Sequence, residues 1–517
     1  MKKSNRILVF LLVILFFGCN DSTVVKSENI NELNNFLVSP DSSNLFGNII
    51  ITIKSDSFPT AASKTTVYVG EHKMYNISYE KNTIKGYIEG SETAGKKAIV
   101  IYMDDDKYLL KNAFTYTDLY YPLFRDMYSL GASYTQGFVS MGLNWKTQLH
   151  SPFGQLARQV GAYFPQPLLK ENILYESKLR DAKKSCRAID LLNPDIKNTV
   201  DALQLIKNKE GKDVLSFASY RINPDLEPHN IGIGGSTIQD TVNGAQYGRL
   251  HSLTIFENIA YNPYVDMGKV FEDPPQGSPF EYAINHSPTI IFSTDLFADD
   301  ILDFVFATNS PVTSQVTKVE IIREKLVEMF DEFKEKNVTA YIANMPDITI
   351  MAIFKFFENS FYKKGFTNET VKEWKKNVQI LSAKYSNTFT EVANKYDNVH
   401  IVDFRGYLNK MYYSKGSDKE IKVNDAITIK NGGIVVGKEV FTTDFLGGLL
   451  SLDAIHLTYT GYALIADMFI DQINKDEGYN IPFIDLSKVA QEDPLTPDKI
   501  RDYGINVSAC TDEFFTP

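Results

Sequence analysis

Short β-branched runs alternate with polar positions in the first part of the chain. Ile49-Ile-Ile-Thr-Ile-Lys54, Thr66-Val-Tyr-Val69, Thr83-Ile-Lys-Gly-Tyr-Ile88 and Ala98-Ile-Val-Ile-Tyr-Met103 are separated by turn residues. That rhythm predicts a small β-sandwich over 46–117. After Tyr116 the period changes. Met127-Tyr-Ser-Leu130, Val214-Leu-Ser-Phe-Ala218, Asn230-Ile-Gly232, Pro288-Thr-Ile-Ile-Phe292, Val338-Thr-Ala-Tyr-Ile-Ala343 and Val399-His-Ile-Val402 are strand-like. Between them, 151–160, 316–336 and 371–396 carry helical periodicity, and 457–474 follows as the closing helix. In 316–336 the apolar stripe is Val319, Ile322, Leu326, Val327, Phe330 and Phe333, opposite a charged face. Alternation of this kind predicts an α/β domain with a mainly parallel sheet over 118–490. A β-hairpin insert over 418–440, turning at Asn431-Gly432-Gly433, interrupts it. Residues 491–517 form a C-terminal tail.

The N-terminus changes the picture of where the chain resides. Lys2, Lys3 and Arg6 precede an apolar run over 7–17. That run falls short of the roughly 20 residues a spanning helix needs, so it reads as a signal segment. It ends in Phe16-Phe17-Gly18-Cys19, which resembles a bacterial lipobox, although Phe16 and Phe17 are bulky for that motif. The resemblance implies cleavage after residue 18 and acylation of Cys19. The membrane would then be a partner through a lipid anchor in the bacterial cell envelope, at the outer membrane, on its periplasmic or surface face. An ordinary signal peptide is the alternative. Residues 19–45 are polar and read as a flexible tether. The chain has 53 basic and 64 acidic residues; without Lys2, Lys3 and Arg6 the balance is 50 − 64 = −14. Such an acidic balance argues against a nucleic-acid partner. Cys186 and Cys510 would be left, either as one disulfide or as two thiols.

Candidate chemistry begins at Asp453-Ala-Ile-His456. The spacing lets a carboxylate reach one imidazole nitrogen and leaves the other free as a general base. Ser133, in Gly131-Ala-Ser133-Tyr-Thr, follows a predicted strand and precedes a helix, where a hydroxyl can stand at the sheet's C-terminal edge as a nucleophile. Its own N–H is one candidate oxyanion donor. Asn230-Ile-Gly-Ile-Gly-Gly235 lacks a phosphate-loop pattern. It serves better as an oxyanion loop, with the Gly235 N–H as donor. His150, His229, His251 and His286 show no metal-ligand spacing, and no metal or other cofactor is called for. His229 adjoins the glycine loop, where it can line the cleft.

Two resemblances follow from these motifs. Gly95-Lys-Lys-Ala-Ile-Val-Ile-Tyr102 with Asn112-Ala-Phe-Thr-Tyr116 resembles the immunoglobulin-like IPT/TIG modules. Gly131-Ala-Ser133, Asn230-Ile-Gly-Ile-Gly-Gly235, Asn344-Met-Pro-Asp347 and Asp453-Ala-Ile-His456-Leu-Thr-Tyr-Thr-Gly461 resemble the blocks of the SGNH (GDSL-like) lipase/acylhydrolase family, lipoprotein type. The second resemblance implies a three-layer α/β/α domain cleaving carboxylic esters, of lipid or acylated sugar, through an acyl-serine. Ala132 replaces that family's Asp. Its Gly-x-Asn-Asp block, whose Asn donates to the oxyanion, aligns best on Ala298-Asp299-Asp300, with Asn309 as the alternative donor. A carboxylate at 299 would repel an oxyanion. The second expectation is therefore a non-catalytic surface-binding lipoprotein on the same scaffold.

Overall fold

The computed structural model describes residues 30–140, 142–169, 179–186, 189, 204–207, 213–216, 222, 226–244, 278–302, 310–311 and 316–516. Cys19, the signal segment, His251 and Asn309 lie outside them.

Two sheets form the N-terminal sandwich. One runs Ile30–Glu32, Asp106–Thr117, Gly95–Met103, Thr65–Val69, His72–Lys73, with Ser42–Asn44 also pairing to Asp106–Thr117. The other runs Leu37–Ser39, Ile49–Lys54, Thr83–Ile88, Tyr75–Glu80. Alternation works as expected: Ile51, Ile53, Val67, Val69, Ile84, Ile99, Ile101 and Met103 fill the core between the sheets. The stretch 30–45 differs from the expected tether, because it contributes three strands. Backbone pairing holds these short strands, and burial of Val38 and Leu45 suffices to seat them.

The second domain is built on a parallel sheet of β1 (Met127–Gly131), β2 (Asn230–Gly232), β3 (Ile290–Ser293), β4 (Thr339–Ala343) and β5 (Val399–Val402), in the order β2-β1-β3-β4-β5. The first four strands are almost wholly buried, which is why they read as continuous apolar runs. The chain leaves β1 to one side for β2 and crosses to the other side for β3. Sheets of this order hold their sites in the crevice at the carboxyl ends of the strands beside that reversal. Pro152–Val160, Val319–Glu335, Asn368–Ala393 and Tyr459–Glu477 are the helices expected from the periodicity, each starting within a few residues of it. Ser151 caps the first, its hydroxyl accepting the Gly154 N–H. Asp213–Ser216 does not join the sheet. It pairs with Gln204–Lys207 in a separate antiparallel hairpin, a local partner that satisfies a short apolar run equally well.

The insert is larger than one hairpin: Ile421–Lys422, Thr428–Lys430, Gly433–Val436 and Glu439–Thr442 make a four-stranded meander. Its central turn has Asn431 at φ 44° and Gly432 at φ 83°, the paired left-handed conformation of a tight hairpin. The expected tail is helical over Leu486–Glu492, Pro497–Asp502 and Val507–Phe515. Cys510, fully buried, is disulfide-bonded to Cys186 across 324 residues of sequence.

Aromatic contacts join the domains. Tyr87 packs on Trp145, Arg158 lies over Phe46, and Tyr163 reaches into the sandwich core. The His229 ring stacks on Tyr128 at 4.0 Å between centroids, meets Tyr163 edge-on, and places Nδ1 3.1 Å from the Met127 carbonyl. Burial pushes it down to about 3, so it is a neutral seam residue. It stands at the start of β2, so it does not line a cleft at the strands' far ends.

A cross-link closing so long a loop contributes about 2–4 kcal/mol. Cys510→Ser is expected to lower the thermal midpoint. Reductant should lower the wild type by the same amount and leave the variant unmoved, as followed by differential scanning fluorimetry.

Candidate active site

Ser133 begins the turn after β1, as the first residue of the short helix Ser133–Gln136. Within 131–140 it is the only residue that is not buried. The reason lies one strand away. Asp295, two residues past β3, accepts the N–H groups of Ala132 (3.0 Å) and Thr135 (3.3 Å) on Oδ1 and that of Tyr134 (2.7 Å) on Oδ2. The hydroxyls of Thr135 and Thr294 stand 2.7 and 3.0 Å from Oδ1. Of the four amides from 132 to 135, only that of Ser133 has no protein acceptor among the described residues. Gly131 makes this close approach possible. At φ 143°, a Cβ there would lie 2.7 Å from Asp295 Oδ1 and 2.6 Å from Thr135 Oγ1.

The glycine loop after β2 is tied to the same turn. Ile233 N–H and the Ser236 hydroxyl donate to the Gly131 carbonyl at 2.9 and 3.1 Å, and Gly234 N–H donates to Gln136 Oε1 at 2.7 Å. Gly235, at φ 81°, is left over. Its N–H has no acceptor among the described residues, and a Cβ there would meet nothing within 4 Å. Because Gly131 pairs with Gly232, the two uncommitted amides, of Ser133 and Gly235, stand on adjacent strand ends.

Asp453 and His456 occur on a wholly buried loop. Asp453 Oδ2 is 2.7 Å from His456 Nδ1, while Oδ1 accepts Ser451 Oγ (3.0 Å) and the N–H groups of Ile455 (3.0 Å) and His456 (2.8 Å). Burial pushes the Asp453 carboxyl up. The His456 ring and these hydrogen bonds pull it down harder, and it ends below its ordinary 3.8. With Nδ1 on the carboxylate, His456 Nε2 has no hydrogen-bond partner among the described residues. Ala454, between the pair, is held at φ 61°, a conformation costing an L-residue about 1–2 kcal/mol. Hydrogen bonds from Ala454 N–H to the Ser451 carbonyl and from Ile353 N–H to the Ala454 carbonyl hold it there.

The two loops are fastened together. Ser140 N–H donates to Ser451 Oγ at 2.9 Å and Leu452 N–H to Ser140 Oγ at 3.1 Å. Tyr462 donates its hydroxyl to the Phe138 carbonyl, and Tyr134 donates to that of Ile455. Burial, then the carboxylates of Asp453, Asp295 and Asp299, holds the Tyr134 phenol well above its ordinary value, so it stays a donor. Phe138 stacks on the His456 ring at 5.4 Å and Tyr134 lies tilted at 6.0 Å. Ser133 therefore sits on the turn whose aromatic residues enclose His456. Its Oγ makes no hydrogen bond among the described residues.

Asp299 is buried in the helical turn that follows Asp295. The acidic residue nearest the end of β3 is Asp295, which sequence reading missed. Being the first acidic residue past a predicted strand was the available signal. Asp300 Oδ2 accepts the Ile238 N–H, fixing the helix after the glycine loop, and burial pushes its carboxyl up to about 7. No group of three metal-ligating side chains occurs among the described residues. His150 stacks on Tyr459 and reaches Glu492; His286 lies tilted against Tyr128 and Tyr282 at the surface. Asn344 and Asp347 serve local structure, through Asp403 and Arg405 and through Thr349 and Gln379.

Residues 37–117 match the IPT/TIG domain family, so the chain is a mixed α/β protein with an N-terminal TIG-type sandwich and a parallel-sheet domain. No curated protein matches. A solved structure described as a novel carbohydrate acetylesterase from Xanthomonas citri is 8% identical, with 72% of this chain and 65% of that chain covered and a TM-score of 0.21. The match thus spans just under two thirds of that protein, and a score so low supports no conclusion about this one.

Because the folded-state Asp453 carboxyl is depressed, its stabilisation is present above the ordinary 3.8 and is lost as pH falls through and below that value. Asp453→Asn is expected to be less stable than wild type at pH 7 in urea titrations. The gap should narrow on acidification below 3.8; a gap constant with pH would contradict this.

Proposed function

We propose that residues 118–490 form an SGNH-type three-layer α/β/α domain that hydrolyses carboxylic esters, and that Cys19 anchors the chain by lipid to the bacterial envelope. Ser133 Oγ attacks the ester carbonyl while His456 Nε2 takes its proton. Asp453 fixes the tautomer that leaves Nε2 free and stabilises the imidazolium. The N–H groups of Ser133 and Gly235 receive the oxyanion. The alcohol leaves with the proton from His456, and water activated by the same nitrogen then releases the acid from the acyl-serine. What supports this most is the set of uncommitted groups among the described residues: one half-buried hydroxyl, one imidazole nitrogen whose ring mate is held by a carboxylate, and two backbone amides at adjacent strand ends. The chain order, Ser turn, glycine loop, then Asp-x-x-His, agrees with the family resembled.

One observation favours the second reading, a binding protein on this scaffold. Position 299 carries a carboxylate where the family resembled has an amide donor. Losing one such donor costs about 10²–10³ in rate, so turnover should be slow. Purified protein assayed on p-nitrophenyl esters from acetyl to palmitoyl should lose at least about 10³-fold with Ser133→Ala or His456→Ala. Equal rates for all three proteins would sink hydrolysis. Fluorophosphonate labelling that Ser133→Ala abolishes would eliminate the binding-only reading. The anchor has its own check: metabolic palmitate labelling should disappear in Cys19→Ser, and labelling that persists there would refute it.

A further inference from the structure

Outward positions of a sandwich strand are ordinarily polar. On the sheet containing Thr65–Val69 and Gly95–Met103, Val67, Val69, Ile99, Ile101 and Met103 point inward, and the alternation sends Thr66, Tyr68 and Tyr102 outward. Tyr102 is 36% exposed. Thr66 pairs with Tyr102 and Tyr68 with Val100, so the two tyrosines are diagonal neighbours. Their rings meet edge-to-face at 6.2 Å and 84°. Lys107 Nζ lies 5.2 Å from the Tyr102 ring centroid and steadies it. Lys64, Thr66, Tyr68, Tyr102 and Asp104 together line an open cleft of about 390 Å³. The rim is fixed: Asp104, itself at φ 51°, accepts the N–H groups of Ser63 and Lys64.

We propose that this cleft binds a carbohydrate chain, with Tyr68 and Tyr102 against the apolar faces of sugar rings and Lys64 and Thr66 on their hydroxyls. Three observations favour sugar over a protein partner. The cleft is of small-ligand size, near the lower end of the roughly 300–1,000 Å³ such sites span. Its lining joins aromatic rings to hydrogen-bonding side chains and contains no aliphatic anchor. Tyr68 and Val69 are paired to Gly95–Met103 on one side and to His72–Lys73 on the other, which leaves a peptide only the short stretch at Thr65 and Thr66 to pair with. Lys64, Lys73 and Lys107 also bring cations to this face of a chain whose net charge is −11, which suits acidic sugars. The site lies outside the hydrolase domain and does not depend on the hydrolytic reading.

Affinity electrophoresis of the full chain through gels containing xylan, mixed-linkage β-glucan or polygalacturonate tests it. Retardation is expected in at least one gel and should weaken about tenfold or more in Tyr68→Ala/Tyr102→Ala. Tyr68→Phe/Tyr102→Phe, which keeps the rings, should retain most of it, as should Ile50→Ala on the other sheet. Thermal melting of each variant separates lost binding from lost folding, and p-nitrophenyl ester turnover should not change. Retardation by none of the three polysaccharides, or equal retardation of wild type and the doubly alanine-substituted chain, would overturn the proposal.

Discussion

One carboxylate organises the turn that carries Ser133. Asp295 reaches across from the end of β3 and collects three of the four amides that follow β1. Charge-assisted hydrogen bonds of this kind are about twice as strong as neutral ones. Here they do more than stabilise. They fix the turn so that the remaining amide and hydroxyl, both of Ser133, face outward together. Gly131 is the covalent condition for this, since a methyl group would collide with the carboxylate itself. The glycine loop then hangs on the Gly131 carbonyl, so the second uncommitted amide depends on the same clamp.

How much of this was legible follows from how local each feature is. Asp453 and His456 are three residues apart, so their contact needs only a loop, and the sequence states it directly. Strands showed themselves as apolar runs, because β1 to β4 are covered on both faces, and Val319–Glu335 and Asn368–Ala393 showed helical periodicity because they are covered on one. Asp295 did not, because its partners lie some 160 residues away and meet it only through the register of β1 against β3. The strands in 30–45 were hidden for another reason. Their stability comes from backbone pairing at sheet edges, which leaves little trace in side-chain hydrophobicity. The C-terminal helices depend on docking and on a disulfide that spacing could not assign.

Bringing a serine and a histidine from distant parts of the chain into one site requires that the loops between them not drift. The reciprocal Ser140 and Ser451 hydrogen bonds, with Tyr134 and Tyr462 donating across the same gap, tie loops that are more than 300 residues apart in sequence. Each of these donors and acceptors is buried, so losing one partner would strand the other without water. The strained Ala454 is tolerated for the same reason, since its N–H and carbonyl are both held from outside the Asp-x-x-His turn. Rigidity of this kind keeps the loops bearing Ser133 and His456 in a fixed relation.

The acidic surroundings bear on whether negative charge can develop at Ser133. Asp295 is directed inward, its oxygens occupied by amides and hydroxyls of its own turn and the next strand. Asp453 faces His456, whose protonated form would cancel its charge during the reaction. Burial pushes the Asp300 carboxyl up to about 7, which weakens its hold on a negative charge. The local field is therefore milder than a count of carboxylates suggests. Asp299 is the exception, because it stands near enough to act on the Tyr134 phenol and on Asp300. On the esterase reading proposed above, Asp299→Asn removes this charge while keeping the side chain's shape and the Asp295 clamp, and p-nitrophenyl acetate turnover should rise.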